Sequence, residues 1–135
     1  MDLKDFVPTK DTILVRIKHP STFEPFLNDD GSEQTITLWA PHSKEYKSVM
    51  HEQTNIRLQK MQAKGGRKAI GITAEEIEAD TIKMLAKTTK EWNVTFGKAQ
   101  PELTVDAAKE IYSEVFWIKS QIEEALEESD VFTPA

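Results

Sequence analysis

The stretch Thr81 to Val94, TIKMLAKTTKEWNV, decides how this chain is read. It follows Thr73-Ala-Glu-Glu76, where Thr73 is suited to cap a helix and Glu76 stands at the capping-box position. Helical spacing brings Ile77, Thr81, Leu85, Thr88 and Trp92 onto one stripe flanked by Met84. The spacing predicts one helix over about 73–92, with Ile77, Leu85 and Trp92 in the structural core. The next residues, NVTFGKAQPEL (Asn93 to Leu103), then read as a connector whose Gly97 and Pro101 meet backbone needs, not as a catalytic loop.

On the C-terminal side, Thr104 is a candidate cap for a further helix, with Asp106 favoured in its first turn by the helix dipole. SEVFWIKSQIEEALEES (Ser113 to Ser129) continues that helix or restarts it after a bend, and we place it at about 104–129. On the N-terminal side, TILVRIK (Thr12 to Lys18) and QTITLWA (Gln34 to Ala40) alternate apolar and polar residues with the period of a half-buried strand. The turn residues Asn28-Asp29-Asp30-Gly31 lie between them, which predicts an antiparallel hairpin over about 12–40. Ser43 is a good cap for a helix over about 43–64 bearing Tyr46, Val49, Met50, Leu58 and Met61, and Gly65-Gly66 stops it. The expectation is therefore a mainly α fold: a helical domain with a small N-terminal antiparallel β-hairpin, one domain over residues 1–135.

A chain of 135 residues can bury a core without staples, and the absence of Cys removes disulfides, thiolate nucleophiles and Cys-ligated zinc. No apolar run approaches the roughly 20 residues that span a bilayer, and the acidic, short-cored N-terminus does not read as an export signal. A net charge of −6 argues against general nucleic-acid binding, because the whole surface repels phosphate.

Little in the chain points to catalysis. His19, His42 and His51 lack the pairing of a metal-binding helix, and His42-Ser43 lacks the surroundings of a nucleophile elbow. Asp29-Asp30-Gly31 lacks the acidic ladder of a calcium loop, and Gly65-Gly66-Arg67-Lys68 lacks the spacing of a phosphate-binding loop. We therefore expect no enzyme activity, cofactor or metal.

Two features point to protein contacts. Arg57, Lys60, Lys64, Arg67 and Lys68 form a basic cluster, while Glu123, Glu124, Glu127, Glu128 and Asp130 form an acidic one. They are either two solvated helix faces or complementary surfaces that join copies head to tail. The second feature is Phe116-Trp117. On one continuous helix Ile111, Val115, Ile118, Ile122 and Leu126 already make the inward stripe, with Ile122 in the core, so the two aromatics point elsewhere and suit an interface. A bend near Ser113 would instead turn Trp117 into the chain's own core.

The order of these segments resembles the tail assembly chaperones of long-tailed bacteriophages, of the lambdoid siphophage type. The residues that carry the likeness are Ser43 and Tyr46 after the strand ITLWAP, Leu85 to Trp92, Gly97, Pro101 to Thr104, Ala108 to Tyr112, Gln121-Ile122 and Phe132. Many members have a proline before the final helix, where this chain has Glu114-Val115. The resemblance spans about residues 12–132. It implies a non-enzymatic protein of the infected host's cytoplasm that self-associates, binds the tape measure protein, promotes assembly of the tail tube protein around it, and is absent from the mature virion. It also implies that some members contact the tube protein through a longer, frameshifted form. The competing reading is a structural virion component, such as a tail completion or head-tail connector protein.

Overall fold

In the computed structural model, which describes residues 2–7, 10–63 and 73–128, the elements run β1 (Thr12–Arg16), β2 (Thr35–Trp39), α1 (Lys44–Ala63), α2 (Ala74–Thr88), β3 (Thr89–Asn93), α3 (Val105–Glu114) and α4 (Phe116–Glu127). A short 3-10 turn at Leu3–Phe6 precedes them. The strands form one antiparallel sheet in the order β1-β2-β3. The architecture is thus mixed α/β, which corrects the expectation of a mainly α domain with only an N-terminal hairpin.

The correction falls on the stretch TIKMLAKTTKEWNV. Helix α2 stops at Thr88, and β3 begins at the next residue with no intervening loop. The Thr89 N–H turns to the Ala86 carbonyl, and the Leu85 carbonyl it leaves is satisfied by the hydroxyls of Thr89 at 2.8 Å and Thr88 at 3.2 Å. Paired to β1 alone, β2 would leave a row of backbone donors and acceptors unsatisfied against the core, and β3 fills that edge. Trp92 therefore sits opposite Ile36 in a strand and not at the end of a helical stripe.

Helix α2 turns Ile82, Leu85 and Ala86 inward. Ile77, expected in the core, is 51% exposed near the helix start, whereas Leu85 and Ile122 are buried. The inward residues recur at helical spacing, but the helix is rotated relative to the stripe that begins at Ile77. Trp92 is half-buried against the core, edge-to-face with Tyr112 at 6.4 Å, and its Nε1 donates to the carbonyl of Pro101 at 3.0 Å. The connector is thereby folded back beside the strand.

One face of the sheet, carrying Val15, Ile17, Ile36 and Leu38, is buried against α2, α3 and α4 around Tyr112, Ile118 and Ile122. The opposite side of β1 carries the exposed residues Leu14 and Arg16, as is usual for an antiparallel sheet covered on one side. At the register shift beside Thr37 and Leu38, Lys90 places its Nζ 4.9 Å from the centre of the Trp39 ring. The bulge and the lysine make β3 a poor template for a further strand.

Side-chain hydroxyls cap three helices. Ser43 Oγ accepts from the Tyr46 N–H at 3.1 Å, Thr73 Oγ1 from Glu76 at 3.1 Å, and Thr104 Oγ1 from Ala107 at 3.0 Å. The single helix expected over about 104–129 is two helices, α3 and α4, which meet at Val115. Val115, at φ −105° and ψ 69°, is outside helical geometry. Gln121 explains how α4 is held: its Oε1 accepts from the Lys18 N–H and its Nε2 donates to the Lys18 carbonyl, both at 2.9 Å. The amide stands in for a strand residue beyond β1.

Replacing Trp92 by Ala should lower stability by about 3 kcal/mol, since it removes a large packed aromatic and the bond to Pro101. Equilibrium denaturation reads this directly, and an unchanged midpoint would remove Trp92 from the core. A second expectation concerns Tyr112, whose hydroxyl shares a 2.7 Å hydrogen bond with Thr89 and whose pKa is pushed up to about 12 by burial, with the Thr89 bond acting the other way. The folded state holds this proton more tightly than the unfolded chain, so the associated stability is complete below about pH 10 and is lost as pH rises toward 12. Tyr112→Phe should lose less stability than the unmodified chain across that interval.

Candidate interaction surfaces

Phe116 and Trp117 both lie in the first turn of α4, beyond the bend at Val115, and successive positions on a helix send them to different faces. Trp117 packs against the core edge-to-face with Phe26 at 5.7 Å, and Phe26 in turn lies 6.0 Å from the His19 ring. Phe116, in the first turn of α4, is 72% exposed. Trp117 thus anchors α4 to the long β1–β2 connection, and Phe116 is the member of the pair that faces solvent. The same connection holds Phe23, also 72% exposed, at the positive φ of 62°. A bulky side chain seldom adopts that backbone. The turn around it is fixed by the Phe23 N–H to the His19 carbonyl, and by His19 Nδ1, which accepts from the N–H groups of Ser21 and Thr22.

The charged clusters also separate on inspection. Arg57 on α1 donates to Asp80 on α2 at 2.7 Å, so this guanidinium is engaged within the chain. Lys60 is exposed, and Lys64, Arg67, Lys68 and Asp130 lie outside the described residues. On α4, Glu124, Glu127 and Glu128 are exposed, while Glu123 is half-buried and pairs with Lys119 one turn earlier at 3.1 Å. An i, i+4 pair within one helix contributes only a few tenths of a kcal/mol, which leaves Glu123 available to a stronger partner at little cost.

Helix α1 packs against α2. Besides the Arg57–Asp80 pair, Lys87 Nζ reaches Glu52 Oε1 at 2.6 Å, and the hydrogen bond and charge of that ammonium hold the Glu52 carboxyl below its usual range. Tyr46, Val49, Gln53 and Ile56 are half-buried, whereas Met50 and Leu58 are 42% and 50% exposed. This 20-residue helix therefore keeps one side against the domain and presents the other, with two large apolar side chains, to solvent. The sequence pattern did not single out that outward side. The signal lies in Met50 and Leu58, which spacing alone does not separate from Tyr46 and Val49.

Of the histidines, His42 places Nε2 3.6 Å from Asp11 Oδ1 at the start of α1, and His51 is exposed. The shallow hollow between α2 and α3, of about 250 Å³, is lined by Glu75, Glu78, Ala79, Ile82, Lys109 and Ser113. Its Ser113 hydroxyl is committed to the Lys109 carbonyl at 2.6 Å. The exposed helix faces are the more substantial candidates for function.

The two aromatics should respond differently to substitution. Phe116→Ser should shift stability by no more than about 0.5 kcal/mol, as exposed changes usually do. Trp117→Ala should cost about 3 kcal/mol through loss of its packing on Phe26 and the core. Thermal unfolding of the two variants tests the assignment, and equal losses would contradict it.

No family model matches this chain, and no curated protein and no solved structure was found to be similar to it.

Proposed function

We propose that this chain is a non-enzymatic tail assembly chaperone of a long-tailed bacteriophage, acting by self-association and by binding the tape measure protein while tail tube subunits assemble. The observation that carries the reading is the presence of large apolar side chains on helix faces turned away from the core. Phe116, Met50 and Leu58 are exposed beside charged residues on well-formed helices. Exposed aromatic and aliphatic residues with charged neighbours are the composition of a protein-binding surface. A long apolar client is held by many such weak contacts presented together, which self-association multiplies.

The resemblance adds support of a specific kind, because the residues that carry it also hold this fold. Ser43 caps α1, Trp92 is bonded to Pro101, Thr104 caps α3, Tyr112 lies in the core, and Gln121 clamps Lys18. Shared residues at those positions would preserve the same scaffold while leaving its outer faces free to vary with the client. On this reading the protein acts in the cytoplasm of the infected bacterium and leaves before the virion is complete. The tail tube protein is a further partner on this reading, reached in some members of the type through a longer, frameshifted form.

The test is co-expression with the tape measure protein of the same phage. Soluble tape measure protein should rise several-fold in the presence of the chain, and Phe116→Ser should reduce that gain while leaving the melting temperature unchanged. A chain that does not alter client solubility would end the chaperone reading. Its recovery in stoichiometric amount from purified particles would instead establish a structural virion component.

A further inference from the structure

We propose that the outward stripe of α4 docks antiparallel on the outward stripe of α1 of a second copy. The stripe on α4 is Phe116, Ser120, Glu123 and Glu127, spaced i, i+4, i+7 and i+11 along one side of the helix. Phe116, Ser120 and Glu127 are exposed, and Glu123 is half-buried. The stripe on α1 is Lys47, His51, Thr54 and Leu58, with the same spacing and all four exposed.

Because the spacing i, i+4, i+7, i+11 reads the same from either end, the two stripes match position for position when the helices run in opposite directions. Phe116 then meets Leu58, Ser120 meets Thr54, Glu123 meets His51, and Glu127 meets Lys47. Apolar faces apolar, hydroxyl faces hydroxyl, and acid faces base over about 16 Å of helix.

Charge on α1 favours this occupant over others. The helix has two carboxylates, Glu45 and Glu52, seven residues apart and so on one side. Glu52 is turned toward α2 by Lys87. The outward side is left with Lys44, Lys47 and His51 and no acid, in a chain whose net charge is −6. The outward side of α4 is acidic. Each stripe is thus the complement of the other and repels its own kind, which disfavours α1 on α1 or α4 on α4.

The contact joins two different faces, so a pair of copies keeps one further α1 face and one further α4 face to offer, and assembly continues into a closed ring or an open filament according to the rotation between copies. This geometry gives form to the self-association within the chaperone reading and rests on that part of it. The experiment uses the purified chain alone, so its failure is distinct from a failure of client binding.

Sedimentation velocity on Lys47→Glu, on Glu127→Lys and on their equimolar mixture tests the pairing. Each variant alone should self-associate at least about tenfold more weakly than the unmodified chain, because like charges then meet. The mixture should recover assembly. The intact α4 of the first variant fits the intact α1 of the second, and the two reversed faces fit one another. Raising salt should weaken the assemblies, as screening of exposed charges requires. Far-UV circular dichroism checks that both variants fold. Should either not, Lys47→Gln and Glu127→Gln decide the matter, and unchanged self-association in those variants would overturn the proposal. It would equally be overturned by an unmodified chain that stays monomeric at high concentration, by reversed variants that assemble normally, or by a mixture that does not recover.

Discussion

Strand β2 is paired along both edges, and the domain is organised around that constraint. With β1 on one side and β3 on the other, Ile36 and Leu38 become fully buried. A backbone buried to this degree cannot leave its N–H and C=O groups without partners. The demand is met by Thr89–Asn93, which are drawn out of a helical run into an extended strand. The burial of Trp92 beside Ile36, its contact with Tyr112 and the return of the connector to Pro101 all follow from that exchange. A helix continued through Trp92 would have kept its own hydrogen bonds but left β2 open to water or to another chain.

Just past the end of β1 a side chain takes over the pairing of the backbone. Gln121 bonds both backbone groups of Lys18, and the same helix sends Ile118 and Ile122 into the core and Trp117 onto Phe26. For α4 to reach these partners it must leave the line of α3, and Val115 absorbs the change of direction. The break has a consequence for binding. It reorients the aromatic pair so that Trp117 serves cohesion and Phe116 is presented outward, in line with Ser120, Glu123 and Glu127. Fold and surface are therefore set by one geometric event.

Helix α1 shows how much a polar element depends on its neighbour. Its inward side carries the half-buried Tyr46, Val49 and Ile56, and ion pairs at Arg57–Asp80 and Lys87–Glu52 join it to α2. A helix attached along one side presents a regular array on the other, and its charge is sorted by the same attachment. Its two acids lie on the domain side, Lys44, Lys47 and His51 face outward, and Arg57 turns inward to Asp80.

Much of the local structure was legible in the residues themselves. The alternation in Thr12–Arg16 and Thr35–Trp39, and the capping hydroxyls of Ser43, Thr73 and Thr104, act over distances of a few residues. Their outcome depends little on the rest of the chain. The decisions that escaped a reading of the sequence were those imposed from far away. Lys-Thr-Thr-Lys-Glu-Trp-Asn can continue a helix or make a strand, and it becomes a strand because β2, more than fifty residues earlier, has an edge to fill. Ile77 lies outside because α2 is rotated by the partners of Ile82 and Leu85 and not by its own periodicity. Phe116 and Trp117 are adjacent in sequence and differ in role because α4 is oriented by distant partners, with Trp117 on Phe26 and Gln121 on Lys18. Sequence by itself determined which residues could cap, alternate or carry charge. Tertiary structure decided which of their faces met the core, since that choice rests on hydrogen bonds and packing surfaces supplied by distant parts of the chain.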